Sequence, residues 1–249
     1  MYIKWMEYCK VKKSIYKFNL NMKISIIIPV YNEKDYILEI LKRVNQQKKE
    51  FDLEIIVSDD SSNDGTADIL RQNKELYDKI IFNRKNKGKG SAIINALELV
   101  SGDYILIQDA DLEYSPSDYG KMFYPAIKMN ADAVYGTRFK GSEAKRILYF
   151  KNRLANFVLS LFVSILTNIN FSDIETGYKL VKSELLKNID LKENSFAIEV
   201  EITMKLAKKK IRFYEVGIGY NGRTYEEGKK ISIKDGFIAL YKILYYKFF

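Results

Sequence analysis

The chain has no histidine and only one cysteine among its 249 residues. Without histidine it lacks Ser-His-Asp and Cys-His catalysis, histidine metal ligands and the usual pH-sensitive side chain. The single cysteine, Cys9, excludes an internal disulfide framework and is typical of a reducing compartment. Carboxylates are therefore the side chains that we expect to act as acid–base groups and as metal ligands.

Long apolar runs and flexible tracts are also missing from the sequence. No stretch reaches the roughly 18 to 20 apolar residues that a bilayer-spanning helix needs, and the nearest candidate, residues 157–169, is interrupted by Ser, Thr and Asn. No segment rich in proline, glycine or serine and no internal repeat divides the chain. A chain of this length without a linker is expected to form one α/β domain.

Positive charge is in excess, with a formal net charge of +9 at pH 7. The excess predicts an anionic partner, and composition alone does not choose among nucleic acid, a phosphorylated substrate and a membrane surface. No recognisable nucleic-acid motif supports a DNA- or RNA-binding module, so we expect no nucleic-acid partner. A basic segment with a single acid, Glu143, contains Arg138, Lys140, Lys145, Arg146, Lys151 and Arg153.

Strand and helix patterns alternate over the first half of the chain. Apolar, β-rich runs predict strands at residues 23–30, 53–58, 79–83 and 103–108, and helical spacing predicts a helix after each of the first three. This alternation indicates a mostly parallel sheet covered by helices on both faces. In the second half, the patterns predict strands at 132–139, 175–181 and 211–220, and helices within 147–169, 197–209 and 231–249.

Polar residues follow three of the predicted strands, in the segments PVYNE, DDSSNDGT and QDADLE. Because ligand sites in such sheets lie beyond the carboxyl ends of the strands, the three segments are expected at one edge. Asp109, Asp111 and Glu113 are close together in a basic chain, either on one side of a continuing strand or in a compact loop. Hard oxygen ligands of this kind predict a divalent metal that bridges protein and diphosphate, rather than a solvated turn.

Three further segments give weaker indications. GKGSA, residues 88–92, places Lys89 beside glycines at a helix start, where free N–H groups favour phosphate, although a flexible loop is the alternative. Asp59 and Asp60 end the second strand, where they either accept hydrogen bonds from a base or ribose or only turn the chain. The basic segment precedes the most apolar helix, a combination that suits a phosphate held at a membrane surface.

The two ends of the chain have unusual compositions. Residues 1–21 are basic and aromatic but lack the features of a signal peptide, so they form a membrane-surface arm or lie upstream of a start at Met22. Residues 231–249 combine aromatic and apolar residues with sparse lysines, which predicts an amphipathic helix at a membrane interface or packed on the domain. We therefore divide the chain into an N-terminal arm (1–22), a main domain (23–220) and a C-terminal segment (221–249).

The motifs SIIIPVYNE, IIVSDDSSNDGT, NKGKGSA, GDYILIQDADLEYSP and YGTRF occur in this order between Lys23 and Phe139. Through them the chain resembles the family 2 glycosyltransferases of the GT-A fold. The later DIETGYKLV, FAIEVEITMKLAKK and EVGIGYNGRTYEEGKKISIKDG are similar to the branch with dolichyl-phosphate mannose synthases and bacterial polyprenyl-phosphate glycosyltransferases. The resemblance implies a GT-A, Rossmann-like α/β domain, peripheral on the cytoplasmic face of a membrane or recruited by a membrane-protein partner.

The resemblance also implies roles for individual residues. Asp109 and Asp111 match a DxD-type pair, and Asp111 with Glu113 is expected to hold Mg²⁺ or Mn²⁺. Glu113 stands where dolichyl-phosphate mannose synthases commonly have Gln, which adds negative charge. Arg138, Arg153 and Arg223 match positions that face the phosphates, and Asp109, Asp111 and Arg138 are the expected catalytic residues. The expected nucleotide-sugar contacts are Pro29, Tyr31, Asn32, Glu33, Asp59, Asp60, Lys89, Asp109 and Ala110.

The expected reaction is inverting transfer of a hexose from a UDP- or GDP-sugar to a polyprenyl phosphate of the cell envelope. Such an acceptor is already an anion and needs arginines to position it more than a base, which suits the basic segment. The alternative acceptor is a saccharide hydroxyl of a surface polysaccharide or glycolipid, with Asp109, Glu199 or Glu201 as base. Otherwise Glu199 and Glu201 are expected to be ordinary polar residues on a helix.

Overall fold

The structure, a computed structural model, describes residues 22–141, 145–146, 149–224, 226–228 and 233–249. The predicted N-terminal arm lies outside these residues except for Met22, and so does most of YEEGKKI, residues 225–231. Among the helices that are described, none combines the length and the apolarity needed to cross a membrane. The division of the chain into three segments stays a prediction.

A mixed sheet organises the described residues. Its seven strands are β1 (Lys23–Val30), β2 (Asp52–Asp59), β3 (Lys79–Phe82), β4 (Tyr104–Ile107), β5 (Ala133–Thr137), β6 (Lys179–Lys182) and β7 (Phe213–Gly217). They lie in the order β3-β2-β1-β4-β6-β5-β7. Neighbouring strands are parallel except where β6 pairs with β4 and β5. The prediction of a mostly parallel sheet is confirmed.

Helices connect the strands and cover the sheet. The α-helices of the described chain are α1 (Ile37–Gln46), α2 (Thr66–Gln72), α3 (Lys89–Leu97), α4 (Tyr119–Met129), α5 (Phe150–Thr167), α6 (Ser183–Lys187), α7 (Ile198–Ala207) and α8 (Ile233–Phe248). Short 3-10 helices occupy Gln47–Lys49, Lys74–Leu76 and Pro116–Asp118. Each helix predicted from apolar spacing is present, and α5 begins at Phe150, inside the predicted range.

Alternating side chains of β1 supply two cores, one on each face of the sheet. Ile26 and Ile28 belong to a core with α1, α2 and α4, whereas Ile27 belongs to a second core with α3, α5, α7 and α8. All three side chains are fully buried. Burial of one such side chain contributes roughly 1.5–3 kcal/mol, so the isoleucine run of β1 anchors both helical layers.

Gly90 lies where α3 meets the loop that precedes α7. Its N–H donates to the carbonyl oxygen of Asn194 at 2.8 Å, and a Cβ atom at this position would lie 1.9 Å from the carbonyl oxygen of Glu193. Gly90→Ala is therefore expected to lower the free energy of unfolding by about 2–3 kcal/mol, because backbone has to move to admit the methyl group. Urea unfolding measures this change.

Gly236→Ala is the matched control, since Gly236 lies in α8 and an added Cβ would meet no described atom within 4 Å outside the backbone of its own helix. Alanine favours the helix and restricts the unfolded chain, so this variant is expected to gain about 0.5–1 kcal/mol. Equal unfolding midpoints for the two variants would contradict the close backbone approach at Gly90.

Candidate active site

A cleft of about 760 Å³ opens at the carboxyl ends of β1, β2 and β4. The segments that follow these three strands all contribute to its wall, so the predicted convergence of strand ends is confirmed. The predicted site residues that line the cleft are Pro29, Tyr31, Glu33, Asp60, Lys89, Asp109, Ala110, Asp111, Glu113, Arg138 and Arg223.

Three predicted site residues lie outside the wall of the cleft. Asn32 exchanges hydrogen bonds with Asn63 and so joins the loops after β1 and β2. Asp59 is buried; its Oδ2 atom accepts from the N–H of Ser62, and burial raises the pKa of its carboxyl group. Arg153 is exposed on α5. The ligand contacts expected of these three residues stay predictions.

Asp60 fixes the glycine loop that borders the cleft. Its Oδ2 atom accepts from the N–H groups of Lys87 at 2.9 Å and Gly88 at 2.6 Å, and its Oδ1 atom accepts from the side chain of Asn83 at 2.9 Å. These bonds tie the end of β2 to the start of α3. Asp60 therefore positions the loop as well as facing the cleft.

Two N–H groups at the start of α3 already have an acceptor. Those of Gly90 and Ser91 donate to the carbonyl oxygen of Asn194, at 2.8 and 3.3 Å. These two groups are therefore not free for the phosphate that was predicted at this helix start, and a phosphate contact of this loop stays a prediction. Lys89 is the charged group that this loop contributes to the cleft.

The acidic residues form a compact loop rather than a continued strand. β4 ends at Ile107, before Asp109, and Leu112 adopts the left-handed conformation with φ of 61°. This turn lets the Oδ1 atom of Asp111 accept from the N–H of Glu113 at 3.1 Å. The second of the two arrangements expected from the sequence is the one observed.

Arg223 lies among three carboxylates. Its guanidinium nitrogens are 2.8 Å from Asp111, 3.2 Å from Glu33 and 3.8 Å from Glu113. Glu113 also accepts from the hydroxyl of Tyr220 at 2.9 Å. Burial and then the neighbouring Glu113 raise the pKa of Asp111 to about 6. Negative charge at this point thus exceeds what one guanidinium neutralises.

The carboxylate oxygens of this loop are suitable ligands for a divalent metal that also binds a substrate. No group of three Asp, Glu, Cys or His side chains suited to a metal ion occurs in the parts of the chain that the structure describes. Mg²⁺ and Mn²⁺, however, are often held by one or two carboxylates together with substrate phosphates. Asp111 and Glu113 offer such a pair at the cleft wall.

A buried chain of ion pairs lies beside the acidic loop. The Nζ atom of Lys89 is 2.6 Å from Asp109 and 2.9 Å from Glu199, and the second oxygen of Glu199 is 2.5 Å from Lys179. Burial disfavours the charged form of Lys89, but the two carboxylates outweigh this effect and raise its pKa. Gly177 makes room for these ion pairs, since a Cβ there would lie 2.2 Å from Asp109.

Part of this network was not identified from the sequence. Glu199 and Glu201 lie on α7, as predicted, but both are buried rather than ordinary polar residues. Glu201 pairs with Lys205 at 2.6 Å and accepts from the N–H groups of the loop before α7. Lys179 is also buried, in β6. The sequence contained two signals of this burial. One is a lysine between apolar strand residues, and the other is a pair of acids in an apolar helix.

Arg138 lies at the end of β5 and is held by a buried carboxylate. Its Nε and Nη2 atoms donate to the two oxygens of Asp173, both at 2.7 Å, and its guanidinium lies over the ring of Tyr220 at 5.3 Å. Asp173 has no exposed surface. Arg138 thus faces the cleft with its orientation fixed by a bidentate pair.

Sequence comparison relates the chain to known proteins. The family model for glycosyl transferase family 2 matches residues 25–189. A dolichol-phosphate mannosyltransferase from Pyrococcus furiosus is 29% identical over 215 residues, which cover 84% of this chain and 61% of that protein. The chain therefore matches less than two thirds of that relative's length. An uncharacterised protein from Methanocaldococcus jannaschii is 31% identical over 222 residues, covering 82% of this chain and 93% of that protein.

Solved structures share the fold at low identity. Glucosyl-3-phosphoglycerate synthase from Mycobacterium tuberculosis, in complex with Mn²⁺, UDP-glucose and phosphoglyceric acid, has a TM-score of 0.74 at 14% identity, over 94% of this chain and 83% of that one. Mannosyl-3-phosphoglycerate synthase from Rubrobacter xylanophilus has a TM-score of 0.68 at 20% identity, over 91% and 73%. These likenesses confirm the GT-A fold, and with the family match over residues 25–189 they establish that the chain belongs to glycosyl transferase family 2.

Proposed function

We propose that the enzyme transfers a hexose from a nucleoside-diphosphate sugar to a polyprenyl phosphate, with inversion at the anomeric carbon and with a divalent metal. The observation that carries this proposal is the lining of the cleft, which combines two chemically different sets of residues. Charged groups of the acidic loop form one set, which we call the polar end, and apolar side chains of α5 and α8 form the other, the apolar end, including Leu154, Val158, Phe237 and Ile238. A reaction between a charged diphosphate and a lipid would use both ends.

The polar end suits the donor. Asp111 and Glu113 are the residues that would hold Mg²⁺ or Mn²⁺, and the metal would supply positive charge beside the departing diphosphate. Lys89, paired with two carboxylates, adds a fixed cation to the same wall. The Mycobacterium tuberculosis enzyme of the same fold contains Mn²⁺ and UDP-glucose, which supports a metal and a UDP-sugar here.

The cations of the cleft suit a phosphate acceptor. Arg138 uses two of its five N–H groups on Asp173, so it keeps donors for a phosphate in the cleft. Lys151, at the start of α5, also lines the wall. Arg223 is engaged with three carboxylates, so Arg138 and Lys151 are the cations best placed for the acceptor. A phosphate held there is already a nucleophilic anion and needs no carboxylate base.

The outer surfaces of α5 and α8 suit a membrane interface. These helices expose large apolar side chains: Phe150, Leu154, Phe157, Val158, Leu161, Ile165, Phe237, Ile238, Tyr241, Leu244, Tyr245 and Phe248. Basic residues lie at the start of α5 (Lys151 and Arg153) and along α8 (Lys234, Lys242 and Lys247), and anionic headgroups attract each by about 1 kcal/mol. A peripheral position would bring the apolar end of the cleft to the lipid chain. The cytoplasmic face expected from the sequence stays a prediction.

Labelling of lipid tests the proposal. Purified protein is incubated with radiolabelled UDP- or GDP-hexoses, Mn²⁺ or Mg²⁺, and polyprenyl phosphate in detergent micelles, and label is counted in the organic phase. We expect organic-phase label only when both metal and polyprenyl phosphate are present. Donor hydrolysis without lipid label would contradict the lipid acceptor and favour a saccharide. Absence of any donor turnover would contradict the nucleotide-sugar donor.

Two leucines on α5 test the apolar end of the cleft. Leu154 and Leu161 are 47% and 48% exposed, but Leu154 lines the cleft and Leu161 does not. Leu154→Asp is expected to raise KM for polyprenyl phosphate about tenfold, because a charge replaces apolar surface along the lipid. Leu161→Asp is expected to change KM less than about twofold. The use of micelles excludes an effect of membrane recruitment on KM. Equal effects of both variants would contradict binding of the lipid chain at the apolar end of the cleft.

A further inference from the structure

Glu175 is an acidic residue of the cleft to which the reaction above gives no role. It precedes β6 and lines the cleft, while its Oε1 atom is buried and accepts no hydrogen bond from the described residues. By contrast, Asp109 and Glu199 pair with lysines and Asp173 pairs with Arg138. A buried carboxylate oxygen without a partner costs free energy. A bound molecule that supplies a hydrogen-bond donor would offset that cost.

The charges around Glu175 leave it as the surplus anion. The charged groups that interact electrostatically with it are Lys179, Glu199, Arg138 and Asp173. They form two ion pairs, Lys179–Glu199 at 2.5 Å and Arg138–Asp173 at 2.7 Å, so each cation already has a carboxylate. Burial raises the pKa of Glu175 to about 7, against the opposing effect of Lys179. The carboxyl group therefore holds its proton to a higher pH than an exposed glutamate does.

Charge and position select which substrate group suits Glu175. The diphosphate and the lipid phosphate are anions, which a carboxylate repels, whereas the hydroxyl groups of a hexose are neutral hydrogen-bond donors. Glu175 lies two residues from Gly177, where an added Cβ would be 2.2 Å from Asp109 and 3.1 Å from Lys89. These two residues belong to the predicted donor site. The transferred sugar is therefore the substrate part with the right chemistry next to Glu175.

We propose that Glu175 accepts a hydrogen bond from a hydroxyl group of the transferred hexose and thereby selects the donor sugar. This inference rests on the proposed function, because it needs a hexose in the cleft. A site built to pair with a substrate hydroxyl discriminates strongly against an analogue that lacks it, since the buried oxygen is again left unpaired. A hydroxyl donor also favours the ionised carboxylate, so the donor binds more weakly below about pH 7.

Deoxy sugars combined with Glu175→Ala test the contact. The probes are the hexose donor found active in the labelling assay and its single-deoxy analogues, and the quantity is kcat/KM for donor turnover. With the wild-type enzyme, one analogue is expected to lose about 10²-fold or more relative to the parent donor. With Glu175→Ala, that difference is expected to shrink to less than about threefold. Equal discrimination by both enzymes would overturn the inference.

Glu175→Gln separates this role from a structural one. The wild-type KM for the donor is expected to begin to rise as pH falls through about 7, and the Gln variant is expected to keep only the rise at lower pH that Asp111, with its pKa of about 6, causes. The folded-state pKa of about 7 lies above the ordinary glutamate pKa of 4.5, so ionisation of Glu175 destabilises the fold increasingly as pH rises from 4.5 to about 7. Urea unfolding should therefore find Glu175→Gln at least as stable as wild type above about pH 7. A less stable variant there, or a pH profile of KM identical to that of the wild type, would overturn the inference.

In this comparison, donor turnover is measured as hydrolysis of the sugar nucleotide in the absence of the lipid acceptor. Loss of lipid labelling with retained donor hydrolysis would therefore contradict the proposed acceptor, while the deoxy-sugar comparison would still decide the role of Glu175.

Discussion

Asp111→Asn is expected to lower kcat about 10³-fold, or about 4 kcal/mol in transition-state stabilisation, while the protein stays folded. Asp111 and Glu113 are the pair that would hold the metal, and an amide carries no charge to offset that of a divalent ion. The fold is expected to survive because Asn can still accept from the N–H of Glu113, the bond that shapes the loop. Turnover with saturating metal measures the loss.

Asp68→Asn is the control for this substitution. Asp68 makes an exposed ion pair with Arg71 on α2, far in the sequence from the acidic loop, and its side chain is 73% exposed. The same chemical change is expected to leave turnover within about twofold there, since such surface pairs contribute little. Wild-type turnover and metal dependence in Asp111→Asn would contradict the metal site.

Lys179→Met is expected to lower the free energy of unfolding by about 3–5 kcal/mol. The lysine has no exposed surface, donates to the carbonyl oxygens of Ile174 and Thr176, and pairs with Glu199 at 2.5 Å. Methionine fills similar space but leaves two carbonyls without this donor and leaves Glu199 with Lys89 alone. Urea unfolding monitored by circular dichroism measures the change.

Lys182→Met is the matched control in the same strand. The side chain of Lys182 is 29% exposed and pairs with Asp132, which also pairs with Arg212. Its loss is expected to cost less than about 1 kcal/mol. Adding Glu199→Gln to Lys179→Met should recover part of the lost stability, because the uncompensated charge disappears. Equal costs for the two lysines would contradict the buried network.

The layers of the fold follow from local patterns that are visible in the sequence. The isoleucine run of β1 and the apolar spacing of α1 predict a strand and a helix whatever their neighbours are, and both are observed. The direction of β6 could not be predicted in this way, because a four-residue strand pairs equally well in parallel or antiparallel until its neighbours are known. Its antiparallel pairing with β4 and β5 is a property of the assembled sheet.

The candidate site, too, could be predicted only in part from the sequence. The acidic loop could be predicted because carboxyl ends of parallel strands share one edge. The partners of Arg223 could not, since Glu33 and Asp111 lie 190 and 112 residues away along the chain. Lys179 was also out of reach, because a lysine in a predicted strand is usually a solvent-facing residue, and only the fold brings Glu199 beside it.

Competition between acceptors is the most direct test of the proposed reaction. Wild-type enzyme, metal and one labelled sugar nucleotide are given polyprenyl phosphate, the corresponding polyprenol, 3-phosphoglycerate and a soluble oligosaccharide together, and each product is separated and counted. Transfer to a lipid phosphate predicts that the polyprenyl phosphate alone is labelled, because it alone offers both an anionic nucleophile and a chain for the apolar end of the cleft. Label on 3-phosphoglycerate or on the oligosaccharide, with none on polyprenyl phosphate, would contradict the proposed function.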